Sequence, residues 1–423
     1  MRKIMPPVLL MAFLISGCGM VGIFKDYPRT LEIQVENPVP IDRSDQSVQI
    51  SVEMIMDVFS DFNPNQFVIF ADGKELASQS LDTDTDGIPD LIVVNVDFLA
   101  SELKTMTIRY GRKGEKKRDY LQRAQAELST KFGGNFVNRI YEGGTFQNVN
   151  YLRVPPEHTD HSFYIRYEGP GWESDKVGYR FYLDWRNATD IYGKKTSSMV
   201  LQNVGFDGLE SYHEMSDWGM DILKVGESLG IGSPGIWLGD HAERIAVTDS
   251  ITSRIVGNGP VYAQIQTKYF GWKAGPATCD IVSDLSIAAG SRMTQHDLHI
   301  TGHLPNLCTG IVKHEKGVFL EAEPAESSWT YLATYGAQSL VDDDLGMAIL
   351  YRNEDLIQLT EDQHSHVVVL QPKEGSLTYY FLAAWTQEIG GIRSQDAFAK
   401  YLEKTVQMLN GELQVQVSQP NRM

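Results

Sequence analysis

Cysteine is scarce in this chain of 423 residues, which holds three: Cys18, Cys279 and Cys308. With Cys18 set aside, at most one internal disulfide can form, so a core and not a net of cross-links has to hold the fold. Long hydrophobic runs are missing too. The apolar stretch from Val8 to Ile15 falls short of the about 20 residues that a membrane-crossing helix needs, and at 42% hydrophobic and 22% charged the chain is neither a membrane bundle nor disordered. Positive charge is in the minority. The 37 Lys and Arg face 55 Asp and Glu, for a formal net charge of -18, which argues against nucleic acid as a partner because its phosphates would be repelled. An anionic substrate would have to be met by locally gathered Arg and Lys. No Gly-rich nucleotide loop, Gly-x-Ser-x-Gly elbow or His-Glu-x-x-His motif appears, and there is no internal repeat or low-complexity tract.

What is present begins at the amino terminus. Arg2 and Lys3, an apolar stretch, and the run Leu14-Ile15-Ser16-Gly17-Cys18 form a bacterial lipoprotein signal. Residues 1–17 are expected to be removed and Cys18 to carry the lipid, more than one acyl chain giving stable attachment to a membrane. Nothing charged follows Cys18 until Lys25. The expected location is therefore outside the cytoplasm, on a periplasm-facing anchor of the outer membrane. The alternative is an ordinary secretory signal in which Cys18 is incidental.

The organisation predicted from patterning is mostly β. Residues 27–114 alternate with period two, as in Leu31, Ile33, Val35, then Val48, Ile50, Val52, then Met106, Ile108, Tyr110, and read as a small immunoglobulin-like β-sandwich. The basic run Arg112 to Arg118 reads as a solvated connector. Residues 120–418 are mostly strands with Gly-rich turns, in the manner of one large sandwich or barrel. Two helices are predicted, one from Trp218 to Leu229 and one capped by Ser394 that carries Phe398, Tyr401, Leu402, Thr405 and Leu409 and stops at Gly411. Leu413, Val415 and Val417 follow as a last strand. The runs Asp280 to Ala288 and Arg292 to His303 read as a hairpin that sets Cys279 opposite the region of Thr301. Cys308 lies beyond Pro305 and would have to fold back, so a disulfide and two buried thiols both stay open.

Several clusters carry chemistry. Asp82, Asp84, Asp86 and Asp90, with Gly87 among them, put carboxylates at alternate positions, as a structural calcium loop needs; the other reading is a metal-free acidic hairpin tip. The segment Glu157 to Asp175 concentrates His161, Tyr167, Glu168, Trp172 and Glu173 around a Gly-Pro-Gly turn, as a loop presenting polar groups would. On the next strand, Tyr179, Phe181 and Leu183 share one face, leaving Arg180, Tyr182 and Asp184 on the other, with Arg186, Asn187 and Asp190 after them. A third cluster runs from Tyr212 to Asp221 and on to Lys224. There His213 and Asp217 suit an acid/base pair, although Asp217 could instead cap the helix starting at Trp218. His364 and His366 share a strand face without a third zinc ligand fixed by spacing. His299 and His303 point one way and His296 the other. Trp172, Trp218, Trp237, Trp272 and Trp385 divide between sugar-stacking and core roles that sequence does not sort.

The phrases Tyr167-Glu-Gly-Pro-Gly-Trp-Glu-Ser-Asp175, Val177-Gly-Tyr-Arg180, Tyr182-Leu-Asp-Trp-Arg-Asn187 and Asp190-Ile-Tyr-Gly-Lys-Lys195, together with Tyr212-His213, Trp218 to Gly226 and Gly257 to Val261, resemble a bacterial family catalogued as a domain of unknown function and found in polysaccharide-utilisation gene clusters. The resemblance implies a galactose-mutarotase-like β-supersandwich for the larger part, with sugar bound on a concave sheet. A relative is linked to dehydration of unsaturated uronyl oligosaccharides released from ulvan. Such chemistry requires no cofactor. It needs a base, an acid for the departing hydroxide and cations for the carboxylate. His213, His161 and Tyr167 can supply the proton transfers. Arg180, Arg186 and Lys224 can hold the carboxylate, and Glu168, Trp172, Glu173, Asp184, Asp217 and Trp218 complete the candidate set around an oligosaccharide. The rival readings are a glycoside hydrolase using Glu168, Glu173 and Asp184, and a non-catalytic glycan-binding lipoprotein.

Overall fold

In the computed structural model, residues 25–419 are described, apart from 117, 209 and 323–327. Cys18 and the signal segment lie outside them. The chain is mostly β, a small sandwich followed by a large one, as expected.

In the small sandwich a five-stranded sheet ordered Gln414–Val417, Arg29–Glu36, Leu103–Tyr110, Phe67–Ala71, Lys74–Leu76 packs on a three-stranded sheet of Arg43–Ser51, Leu91–Phe98 and Ser78–Leu81. The period-two residues Leu31, Ile33, Val35, Val48, Ile50, Met106, Ile108 and Tyr110 fill its core, because alternate side chains leave a strand on one face. Val52 departs from the strand reading and opens the short helix Val52–Met56, whose first turn is capped when the Ser51 side chain accepts from the Met54 amide. The final strand joins this first sheet, with Val35 opposite Val415, so strands near both ends of the described residues close one sandwich. The basic run folds back onto it. Arg112 reaches Asp61 at 2.7 Å, Arg118 reaches Glu75 at 2.7 Å, and Lys116 pairs with Asp26, so the described residues of the run are solvent-exposed, as read from the sequence, and also tie it to the small sandwich by surface ion pairs.

The large sandwich has a nine-stranded antiparallel sheet running from Tyr151–Arg153 through Ser250–Asn258, Tyr262–Ala274, Ala277–Ala288, Met293–Thr301, Ser376–Trp385, Leu345–Arg352 and Trp329–Gly336 to Gly317–Glu321. Two five-stranded sheets accompany it. One is ordered Gly219–Asp221, Thr189–Lys194, Val177–Phe181, Gly171–Ser174, Ala124–Glu127; the other is Ala242–Arg244, Gly235–Trp237, Leu307–Val312, Ser365–Leu370, Leu356–Glu361. One apolar cluster joins the three, including Trp172, Tyr179, Phe181, Ile191, Ile265, Trp272, Ile281, Phe381 and Trp385. The predicted hairpin forms with Asp280 opposite Thr301. Cys279 and Cys308 are both buried and unpaired, since Cys308 lies on a strand of another sheet. The helix Gln395–Asn410 begins where the Ser394 side chain accepts from the Ala397 amide at 3.2 Å, and it buries Phe398 and Leu402 against Tyr331, Tyr335, Ala348 and Leu350. The helix predicted from Trp218 does not form. Gly219–Asp221 is an edge strand paired to Thr189–Lys194, because strand pairing outweighs a short stretch of helical spacing.

Candidate functional site

The five-stranded sheet of the large sandwich that runs from Gly219–Asp221 to Ala124–Glu127 positions the site by its alternation. Tyr179, Phe181 and Trp172 turn into the apolar core. On the other face, Arg180 donates to Asp190 at 2.7 Å, to Asp221 at 2.6 Å, to the Tyr212 hydroxyl at 2.5 Å and to the Tyr182 hydroxyl at 3.0 Å. Tyr182 passes its own proton on to Asp190 at 2.6 Å. Burial, reinforced by the neighbouring Asp221 charge, pushes Asp190 up to about 7. Burial alone would lower Arg180, but the surrounding tyrosine and carboxylate oxygens raise it, so this guanidinium is a permanent positive centre.

His213 stands at the rim. Its Nε2 is 3.3 Å from Asp221 Oδ2, its side chain is 44% exposed, and its ring meets Tyr212 edge-on at 4.8 Å. Hydrogen bonding to Asp221 raises its pKa against the opposing effect of partial burial. The carboxylate that orients it is thus Asp221 and not Asp217, which is exposed and caps no helix.

A second cation lies beside the first. Arg186 spreads over the Tyr182 ring at 4.0 Å and pairs with Asp160 at 2.8 Å, Glu168 at 2.8 Å and Asp184 at 2.5 Å. Burial would raise Glu168, but Arg180, Arg186 and the His161 amide outweigh it and bring the carboxyl down to about 2. His161 is exposed, with Nδ1 2.7 Å from Asp160 Oδ1. A continuous chain of contacts therefore runs from His161 through Asp160, Arg186, Tyr182, Arg180 and Asp221 to His213.

The backbone here is held in an unusual shape. His161, Phe163, Tyr167, Glu168 and Asn187 all have positive φ between 40° and 71°, a region that costs about 1–3 kcal/mol per side-chain-bearing residue and collects at functional sites. Gly169 permits the turn, since a Cβ there would lie 1.7 Å from the Phe181 carbonyl oxygen.

Several candidates sit elsewhere than expected. Tyr167 is fully buried, its hydroxyl 3.4 Å from Glu127, so it cannot reach a substrate. Trp172 is also fully buried, stacked on Tyr179 at 5.6 Å and bonded to Thr294; it is core and not a sugar platform. Glu173 is sealed in a pair with Lys194 and accepts from the amides of Val200 and Leu201 at 2.8 and 2.9 Å. Trp218 is half-buried against Tyr192, and Lys224 is exposed. Asp82, Asp84 and Asp86 converge within 4.8 Å, whereas Asp90 is taken up by Thr83, accepting from its hydroxyl at 2.7 Å. His364 and His366 go to separate carboxylates, Glu227 and Glu361. Trp237, Trp272 and Trp385 are core. Sequence reasoning passed over Asp160 and gave no special place to Asp221; the period-two run Gly219-Met-Asp221 was the available signal for the latter.

The family model described as Domain of unknown function (DUF4861) matches residues 35–415. A protein of Formosa agariphila called Uncharacterized protein P7 is 22% identical over 443 residues, covering 98% of this chain and 100% of that one. Among solved structures, an alpha-mannosidase from Enterococcus faecalis V583 has a TM-score of 0.43 at 10% identity, covering 92% of this chain and 46% of its own. A glycosyl hydrolase family 38 protein from Enterococcus faecalis has a TM-score of 0.42 at 9% identity, with 92% and 47% covered. The chain spans about half the length of these two solved proteins.

Proposed function

This chain belongs to the DUF4861 family, and we propose that within it the protein is a carbohydrate-active enzyme that eliminates water from uronic-acid-containing, unsaturated oligosaccharides. The observation that carries the reading is the His213–Asp221 pair, an imidazole at the surface whose second partner is a buried carboxylate fixed by Arg180. With its pKa raised, His213 is suited to give a proton to the departing hydroxyl, which leaves as water. His161, oriented by Asp160, is suited to take the proton lost from the sugar.

The hydrolase alternative needs one carboxyl that stays protonated and a second that faces the bond. Glu168 is held ionised by two arginines, Asp184 is committed to Arg186, and Glu173 is sealed from solvent, which weighs against it. The reading includes a lipid anchor at Cys18 facing the periplasm, which would place the enzyme where oligosaccharides released by lyases arrive.

The test incubates the mature protein with lyase-generated unsaturated oligosaccharides of ulvan, alginate and glycosaminoglycans, followed by mass spectrometry. Loss of one water, abolished in His213→Ala, is the expected result. Cleavage into smaller sugars would move the protein to the hydrolases, and no change in any mixture would leave a binding role.

A further inference from the structure

The charges of the site are poorly matched to an anionic sugar. Arg180 and Arg186 together face five carboxylates, Asp190, Asp221, Asp160, Glu168 and Asp184. Arg166 is taken by Glu127 and Lys194 by Glu173. Even with Asp190 protonated, a uronate beside the two arginines meets more negative than positive charge, and Arg180 is itself buried, so ions brought together at this partly desolvated site feel that excess strongly.

Lys131 differs. It lies on the strand Ser129–Val137, directly across the hairpin from Phe146, and among the described residues it makes no ion pair. Its Nζ is 5.2 Å from the centroid of the Phe146 ring and 5.9 Å from that of Phe163, so the ammonium is positioned by ring faces and keeps its hydrogen-bond donors. Phe163 is 6.4 Å from the His161 ring, which ties this cation to the site. Phe206, 53% exposed, adds a third ring 6.2 Å from Phe146 and covers the Arg166 guanidinium at 4.3 Å. These rings come from three separate segments. The hairpin is fastened to the 161–165 turn where the Lys131 backbone amide donates to the Tyr164 carbonyl at 2.9 Å and the Tyr141 backbone amide to the Ser162 carbonyl at 2.7 Å. An exposed aromatic face beside an unpaired cation is the composition that receives a sugar ring and its carboxylate together.

We infer that Lys131, Phe146 and Phe206 form a uronate subsite next to the His161 end of the site, in which Lys131 takes the carboxylate of one uronyl unit and Phe206 stacks on its ring. The inference rests on the uronyl substrate class proposed above and supplies the cation that Arg180 and Arg186 do not.

The experiment is calorimetric titration of the mature protein with two probes, a lyase-generated unsaturated ulvan tetrasaccharide and the same tetrasaccharide with its carboxyls reduced to alcohols. Wild type is expected to prefer the uronate probe, with the preference falling as salt is added. Lys131→Met should weaken the uronate probe about fivefold and erase the preference, Lys131→Arg should restore it, and Phe206→Ala should weaken both probes. The inference is overturned if Lys131→Met binds both probes as wild type does, if it weakens both equally, or if wild type binds neither. Binding is read without turnover. Tetrasaccharide held through Lys131 but never dehydrated would overturn the proposed reaction alone, and dehydration unaffected in affinity by Lys131→Met would overturn the subsite alone.

Discussion

His213 Nε2 lies 3.3 Å from Asp221 Oδ2, and that same oxygen receives a 2.6 Å hydrogen bond from Arg180. One buried carboxylate thus joins the exposed imidazole to the permanent cation beneath it.

The pair has a pH signature. Because Asp221 raises the pKa of His213 above its ordinary 6.5, the interaction favours the folded protein below about pH 6.5 and fades as pH climbs through the higher folded value. Partial exposure screens the effect, so it is small in stability and clearer in titration. Asp221→Asn should bring the His213 titration, followed by NMR of its imidazole protons, down to the ordinary value or below it, since Arg180 would then act unopposed. An unchanged titration would contradict the pairing.

Glu168 works in the opposite sense. Its folded pKa of about 2 lies below the usual 4.5, so its contribution is present above about pH 4.5 and is lost as pH falls toward 2. Glu168→Gln leaves Arg186 short of a partner at a mostly buried position and should cost about 3 kcal/mol at neutral pH. Thermal melts across that acid range should show a flatter dependence in the variant; curves that stay parallel would argue against the assignment.

Trp172 separates core from platform. Trp172→Ala should lose about 3–5 kcal/mol of stability by opening a cavity, and Trp172→Phe, which keeps a ring against Tyr179, should keep most of the stability and the affinity for oligosaccharide. Chemical denaturation and calorimetry decide the matter. A phenylalanine variant that folds normally yet no longer binds would return Trp172 to the site.

Gly169 tests the backbone of the loop. A methyl group there meets the Phe181 carbonyl, so Gly169→Ala should cost about 2–3 kcal/mol and displace Glu168 from Arg186, lowering turnover as well. Wild-type stability and turnover together would show that the turn has room to relax.

Much of this was legible in the chain. The cap at Ser394, the alternation of Leu31, Ile33 and Val35, and the division of Tyr179 and Phe181 from Arg180 and Tyr182 all follow from periodicities set by neighbouring residues. The candidate site was legible as a region for the same reason, since polar residues crowd the segments 157–190 and 212–221. Their roles were less so. Trp172 and Glu173 read as site residues because a Gly-Pro-Gly turn precedes them, yet they lie on the strand Gly171–Ser174 between two others, where neither side chain reaches solvent.

What the sequence determined by itself was the β character, the helix near the carboxyl end and the faces of individual strands, because these depend on contacts within a few residues. The tertiary structure alone decided that His213 answers to Asp221 and not Asp217, that Tyr167 is walled off, that the last strand completes the first sheet, and that Lys131 stands beside the site. Each of these is set by which distant strands pair and in what register, and burial follows from that pairing.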